Sequence, residues 1–253
     1  MQAIESIASD LAYALDPALF ASGAGISLDP WQADVVRSND SQILLNCHRQ
    51  GGKSTTTGVL AVHTAIYDPG VILVLSPSLR QSRELFRKCL DVYENVGPLV
   101  PSEVENKLEL ELTNGARIVS LPGTEATIRG FSNIKLLIVD EASRVSDDLY
   151  YAIRPMLAIS RGRIVLLSTP FGKRGFFHKE WSEGGPDWKR VKVTAYECPR
   201  ISREWLEAER DRIGDWWFKQ EYLCEFVESI DSVFSFEDIQ RAFSDETVTP
   251  LFG

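Results

Sequence analysis

The sequence predicts an α/β fold: a mostly parallel sheet flanked by helices, with a β-hairpin insertion and a small helical C-terminal subdomain. Three observations predict it. Short apolar runs recur at Gln42 to Asn46, Val71 to Leu75, Leu136 to Val139 and Ile164 to Leu167. They are nearly continuous rather than alternating, as strands covered on both faces of a parallel sheet must be. Helix-like stretches separate them, and the first run leads straight into a Gly-Gly-Lys-Ser turn at the start of such a stretch. With 253 residues, 44% of them hydrophobic, the chain can fill one large core, or one core and a small appendage.

The elements follow in order. Ile4, Ile7, Ala8, Leu11 and Leu15 stand at helical spacing, and Pro17 marks the end of that first helix. Ser22 to Gly25 reads as a linker, after which the core begins. The first buried strand precedes a helix expected over Ser54 to Ile66. Between the second and third strands, Leu108, Leu110 and Leu112 alternate with charged residues, Asn114-Gly115 follows, and a second alternating run extends from Arg117 to Leu121. That combination signals a hairpin. Arg203 to Tyr222 is amphipathic and rich in Glu, Arg and Trp, which reads as helix. The expected organisation is a lead-in over residues 1–30, a core over 31–200 and a helical subdomain over 201–253. No internal repeat or low-complexity tract interrupts it.

Composition excludes several function classes. No run of 18 apolar residues occurs, and Glu5 and Asp10 interrupt the N-terminal apolar residues, so neither a spanning helix nor a cleavable leader is expected. Cys47, Cys89, Cys198 and Cys224 are widely spaced, and His48, His63 and His178 lack metal-site spacing. A disulfide framework and a zinc site are therefore not expected, and a reducing cytoplasm fits. A net charge of −9 argues against a surface that coats nucleic acid, though it leaves room for one local basic patch.

The chemistry concentrates at strand ends. After the first strand comes Cys47-His48-Arg49-Gln50-Gly51-Gly52-Lys53-Ser54-Thr55. Backbone N–H groups of such a loop and of the helix behind it cradle a phosphate, with Lys53 adding charge and the Ser54 hydroxyl suited to Mg²⁺. Cys47 stands where the general pattern has its first Gly, and a plain strand-to-helix turn is the blander reading. The third strand ends in Asp140-Glu141, which suits a Mg²⁺ water shell at Asp140 and polarisation of an attacking water at Glu141. The fourth ends in Ser168-Thr169-Pro170, whose hydroxyls could sense a terminal phosphate. Upstream, Trp31-Gln32 offers an amide for an adenine edge. Arg49 and Arg129 are candidates to stabilise charge on the transferring phosphoryl group, and Lys173 and Arg174, just after the Ser-Thr-Pro segment, to grip a nucleic-acid backbone.

In this order, these residues resemble the ATPase domain of tailed-phage large terminase subunits. The resemblance covers nearly the whole chain. It takes in Trp31-Gln32, the Arg-bearing loop from Cys47 to Ser54, Ser76 to Ser82, Ile128-Arg129-Gly130, Leu136 to Glu141, Ser168-Thr169-Pro170 with its sequel, and Gln220 to Phe226. In that family the first loop Gly is often absent, so Cys47 favours the resemblance. The family implies a P-loop nucleotide-hydrolase fold of the ASCE, RecA-like kind, with ATP and Mg²⁺ as ligands. It implies a ring, usually of five subunits, on the portal protein of a procapsid in the host cytoplasm, with double-stranded DNA in its channel and the small terminase subunit as a further partner. One of Arg49 and Arg129 would act in its own subunit and the other on a neighbour. The family's nuclease part would follow residue 253, so DNA cutting is not expected of this stretch. A helicase-like translocase and a nucleotide-binding assembly module remain the competing readings.

Overall fold

The computed structural model describes the backbone of residues 2–97, 99–123 and 130–228, with side chains from residue 7 onward. Eight strands form one sheet: β1 Gln42–Cys47, β2 Val71–Ser76, β3 Ser102–Glu105, β4 Glu109–Leu112, β5 Arg117–Pro122, β6 Ile134–Asp140, β7 Arg163–Ser168 and β8 Trp188–Val193. Their spatial order is β3-β4-β5-β2-β6-β7-β1-β8. The four apolar runs are thus the four central neighbours, β2, β6, β7 and β1, paired in parallel.

Their lack of alternation has the expected cause. Ile43, Leu45, Ile72, Val74, Ile138 and Val165 face one core with helices α4 Lys53–Tyr67 and α5 Leu79–Val96. Leu44, Leu73, Leu75, Leu137, Val139 and Leu166 face the other, with α6 Asp147–Ser160 and α7 Gly175–Glu183. Each strand therefore needs apolar side chains at odd and even positions alike.

The hairpin β4/β5 turns at Asn114-Gly115, where Gly115 has φ +85°. It is also part of the main sheet, because β5 pairs in parallel with β2. Both sheet edges are charged, β3 through Glu103 and Glu105 and β8 through Lys189, Arg190 and Lys192. Edge strands tolerate this, and it blunts edge-to-edge association. The same charges hide these strands from a search for apolar runs.

Three local expectations need correction. The Ser22 to Gly25 linker is partly helical: α2 spans Pro17–Gly23, with Pro17 at its first position and Asp16 accepting a hydrogen bond from the Ala18 N–H (2.9 Å). Proline at this position costs nothing, since the first-turn N–H lacks a partner anyway. Pro17 thus both follows α1 Gln2–Leu15 and starts α2. The stretch from Arg203 to Tyr222 is two helices, α8 Arg203–Ile213 and α9 Asp215–Glu221, parted by Gly214 at φ +79°. A positive φ with extended ψ breaks the helical run, and glycine adopts it without steric cost. Leu206 of α8 and Phe218 of α9 meet Ala195 in a small third core of their own. Among the described residues no helix is long and apolar enough to cross a membrane.

Candidate active site

The glycine-rich loop expected to bind phosphate leaves β1 at Cys47, which is fully buried in the first core. Burial pushes its thiol up to about 12, so it is an inert packing residue. This explains the departure from the Gly pattern: the position belongs to the strand's packing. All four cysteines are free and buried. In the loop, Gln50 and Gly52 have φ +57° and +91°. A Cβ on Gly52 would meet Gln32 Nε2 at 2.5 Å, so glycine is required there by conformation and by contact. Helix α4 then starts at Lys53, and its first turn, with Ser54 and Thr55, lines a cleft of about 510 Å³ with Arg49 to Gly52 on one side and Glu141 on another.

Lys53 is only 7% exposed. Its Nζ donates to the Cys47 carbonyl (3.0 Å), the His48 carbonyl (2.9 Å) and the Thr169 hydroxyl (3.2 Å). All three acceptors are uncharged, so a buried positive charge is held at the cleft without a bonded anion, the arrangement that favours a phosphate.

Asp140, at the end of β6, is 8% exposed. Burial, reinforced by the charge of Glu141, raises its carboxyl to about 7 against the opposing pull of Lys53. A carboxylate so reluctant to ionise alone is suited to sharing a cation. Among the described residues no three His, Cys, Asp or Glu side chains converge as a ready metal cage. Mg²⁺ needs none, since it is usually held by one or two protein oxygens together with phosphates and waters. Glu141 sits in the left-handed region at φ +47°, unusual for a non-glycine residue and typical of backbone strained at a functional turn.

Strand β7 lies between β6 and β1 and so carries Ser168 and Thr169 between the carboxylates and the phosphate loop. The Ser168 hydroxyl lies 3.4 Å from Glu141 Oε2, while the Thr169 hydroxyl donates to the Cys47 carbonyl (3.1 Å) and accepts from Lys53. Two adjacent residues thus touch both halves of the site. Ser143, which sequence reasoning missed, joins them: its N–H donates to Ser168 Oγ (3.2 Å), the two hydroxyls lie 2.6 Å apart, and its own hydroxyl donates to the Thr169 carbonyl (2.8 Å). The available signal was a small hydroxyl two residues after Glu141.

The remaining expected residues are dispersed. Arg49 is ion-paired with Glu221 at the end of α9, its side chain 63% exposed. Arg129 lies outside the described residues. Gln32, 4% exposed, spends its amide inside the protein: Oε1 accepts from the Asp29 N–H (2.7 Å), and Nε2 donates to the Gly52 carbonyl (3.1 Å) and the Thr56 hydroxyl (3.0 Å). In this arrangement it braces the phosphate loop from below and caps α3 Pro30–Arg37. Trp31 lines a separate cavity of about 410 Å³ with Asp34 and Lys189. Ile213, Trp217, Glu221 and Tyr222 line a further cavity of about 510 Å³ that shares Arg49 with the cleft. Lys173 is ion-paired with Glu228, and the Arg174 guanidinium stands over the Phe171 ring at 4.5 Å.

This geometry has known counterparts. Residues 46–241 match the family model described as terminase large subunit, T4likevirus-type, N-terminal. The chain is 27% identical over 240 aligned positions to the terminase large subunit of Thermus phage G20c, covering 81% of this chain and 50% of that protein. It is 24% identical over 217 positions to that of Escherichia phage T5, covering 78% and 49%. The chain therefore spans about half the length of the curated relatives it matches. Among solved structures, the large terminase ATPase domain of Thermus phage P74-26 superposes with a TM-score of 0.72 at 23% identity, covering 82% of this chain and 97% of that one. The HK97 bacteriophage large terminase gives 0.64 at 16% identity, covering 79% and 51%. The structural likenesses establish the fold, and the family match, which spans most of the chain and all of the residues around the cleft, establishes that this protein belongs to the N-terminal family of T4likevirus-type terminase large subunits.

Proposed function

We propose that this chain is the ATP-hydrolysing motor of a viral DNA-packaging enzyme, coupling turnover in the cleft to translocation of double-stranded DNA into a procapsid. The observation that carries the reading is the hydroxyl bridge: Lys53 is bonded to Thr169, and Ser168 reaches Glu141. A phosphate held by Lys53 and the loop N–H groups would lie beside a carboxylate able to orient water, with the pair from β7 registering both. Glu141 is then the water-polarising carboxylate and Arg49 a charge-stabilising residue in its own subunit. Arg129 has the same role towards a neighbouring subunit. Gln50, Gly51, Gly52, Thr55 and the Lys53 ammonium bind phosphate, while Gln32 serves the nucleotide by bracing that loop from within and Trp31 lines a separate cavity.

Mg²⁺ fits the hard oxygens of Asp140 and Ser54, and when bound it would neutralise charge on the phosphates. A large terminase from a thermophilic bacteriophage has been solved with ADP and with ATP-gamma-S, which supports the choice of adenine nucleotide. By the same reading, 201–253 forms a lid beside a core spanning 31–200. Lys173 and Arg174 meet the DNA backbone, and subunits assemble as a ring of five on the portal protein in the host cytoplasm, with the small terminase subunit as partner.

The test is Mg²⁺-dependent ATP hydrolysis over a protein concentration series, wild type against Glu141→Ala. Turnover per subunit that rises with concentration and is lost in the variant is the expected result. Equal residual turnover in both would favour a nucleotide-binding assembly module.

A further inference from the structure

Arg144 has no part in the roles assigned above, yet it lines the same cleft as Lys53, Ser54 and Glu141. It ends the short helical turn Ala142–Arg144 that follows β6. Its N–H donates to the Glu141 carbonyl (2.8 Å), so one tight turn carries both the guanidinium and the water-polarising carboxylate. That turn is itself clamped to the end of β7 through Ser143, by the bonds to Ser168 Oγ and the Thr169 carbonyl. The side chain is held by the same strand's continuation: the Arg144 guanidinium carbon stands 4.1 Å from the centroid of the Phe171 ring.

Phe171 carries a second cation, Arg174, at 4.5 Å. Neither arginine enters an ion pair among the described residues. The face of an aromatic ring attracts each guanidinium while the two like charges repel one another; water screens that repulsion in part, and an anion bound at either guanidinium would lower it further. On the Arg144 side, the available space is the nucleotide cleft. Because Arg144 shares a turn with Glu141, the anion it meets there is the phosphate nearest the attacking water, the terminal one. A planar guanidinium can grip such a phosphate with two parallel N–H bonds.

We propose that Arg144 binds the terminal phosphate of the nucleotide in this cleft and that Phe171 positions it to do so. This rests on the reading that ATP occupies the cleft, and the experiment separates the two. Equilibrium binding of Mg-ATPγS and of Mg-ADP is measured on wild type, Arg144→Ala, Phe171→Leu and Lys53→Ala.

Loss of a charge-assisted contact to one phosphate should weaken ATPγS binding by Arg144→Ala about tenfold or more while ADP binding changes less than about twofold. Phe171→Leu should lose part of the same triphosphate preference with ADP affinity unchanged, and Lys53→Ala should lose both nucleotides. Retained ADP affinity shows at the same time that a variant is folded. An unchanged ratio of triphosphate to diphosphate affinity in Arg144→Ala, or an equal loss of both, overturns the proposal. A wild-type ratio in Phe171→Leu overturns the positioning role alone. If the wild type binds neither nucleotide, it is the reading of the cleft that falls, and Arg144's role with it.

Discussion

Arg49, in the phosphate loop, is ion-paired with Glu221 in the last turn of α9, which ties the C-terminal helices to the nucleotide cleft. The exposed guanidinium makes this pair a small contributor to stability. Its consequence is competition, since a phosphate in the cleft and Glu221 would claim the same guanidinium. Glu221→Gln should therefore tighten ATPγS binding by a few-fold and move the unfolding midpoint by no more than about 2 °C. Nucleotide titration and thermal melts check both, and weaker binding in the variant would rule the competition out.

Ser168 is fully buried, its hydroxyl 2.6 Å from that of Ser143 and 3.4 Å from Glu141 Oε2. Ser168→Ala removes a neighbour of the carboxylate without touching the Gly51-Gly52-Lys53 loop. We expect kcat to fall about tenfold with KM for ATP little changed, the pattern of an interaction used mainly in the transition state. Steady-state kinetics decide it. A rise in KM at constant kcat would place Ser168 in binding instead.

Gln32 makes three hydrogen bonds, two of them to the phosphate loop and its helix. Gln32→Ala leaves the Asp29 N–H and the Gly52 carbonyl without this partner and should cost about 1–3 kcal/mol in chemical denaturation. Because the amide is committed to the loop, ATP and GTP binding should weaken together. A selective loss of ATP would instead assign the amide to the adenine edge.

His63 Nε2–H donates to the Tyr13 carbonyl (2.9 Å), and its ring packs against Phe20 and Tyr67. Burial holds it below its ordinary value of 6.5, so on acidification the unfolded chain takes the proton first. Its contribution is complete above about 6.5 and is lost as pH falls towards the depressed folded value. Burial depresses His48 and His178 in the same direction. The carboxylates held low by partners, Asp16 and Asp40, act only nearer their ordinary 3.8. Asp140, raised to about 7, works the opposite way over this window, so the His63 contribution is read as a difference: from pH 7.5 to about 5.5 the melting midpoint of His63→Gln should fall less, or rise more, than that of the wild type. A slope unaffected by that substitution would move the effect to the other histidines.

The central strands, the phosphate loop and the Asp140-Glu141 strand end were legible because each is written in contiguous residues. Apolar runs reflect burial on both faces, and Gly51-Gly52-Lys53-Ser54 reflects a turn only certain residues can make. Strands β3 and β8 were not legible, since the charges that suit a sheet edge erase the apolar signal. The break between α8 and α9 was written at Gly214, but amphipathic residues on both sides masked it.

The sequence by itself determined which groups this protein has for phosphate chemistry: an ammonium, a left-handed glycine, two carboxylates, hydroxyls at a strand end and an arginine-bearing loop. Only the tertiary structure decided which of them meet. Lys53 and Thr169, 116 residues apart, bond because β7 is inserted between β6 and β1. Arg49 meets Glu221 because α9 folds back beside the phosphate loop. Arg144 acquires its place from a ring two residues beyond Thr169. Periodicity and spacing specify how a segment is buried and how it turns. They do not specify the order in which strands lie side by side, because that order is settled by which packing of all the elements buries both faces of the sheet at once.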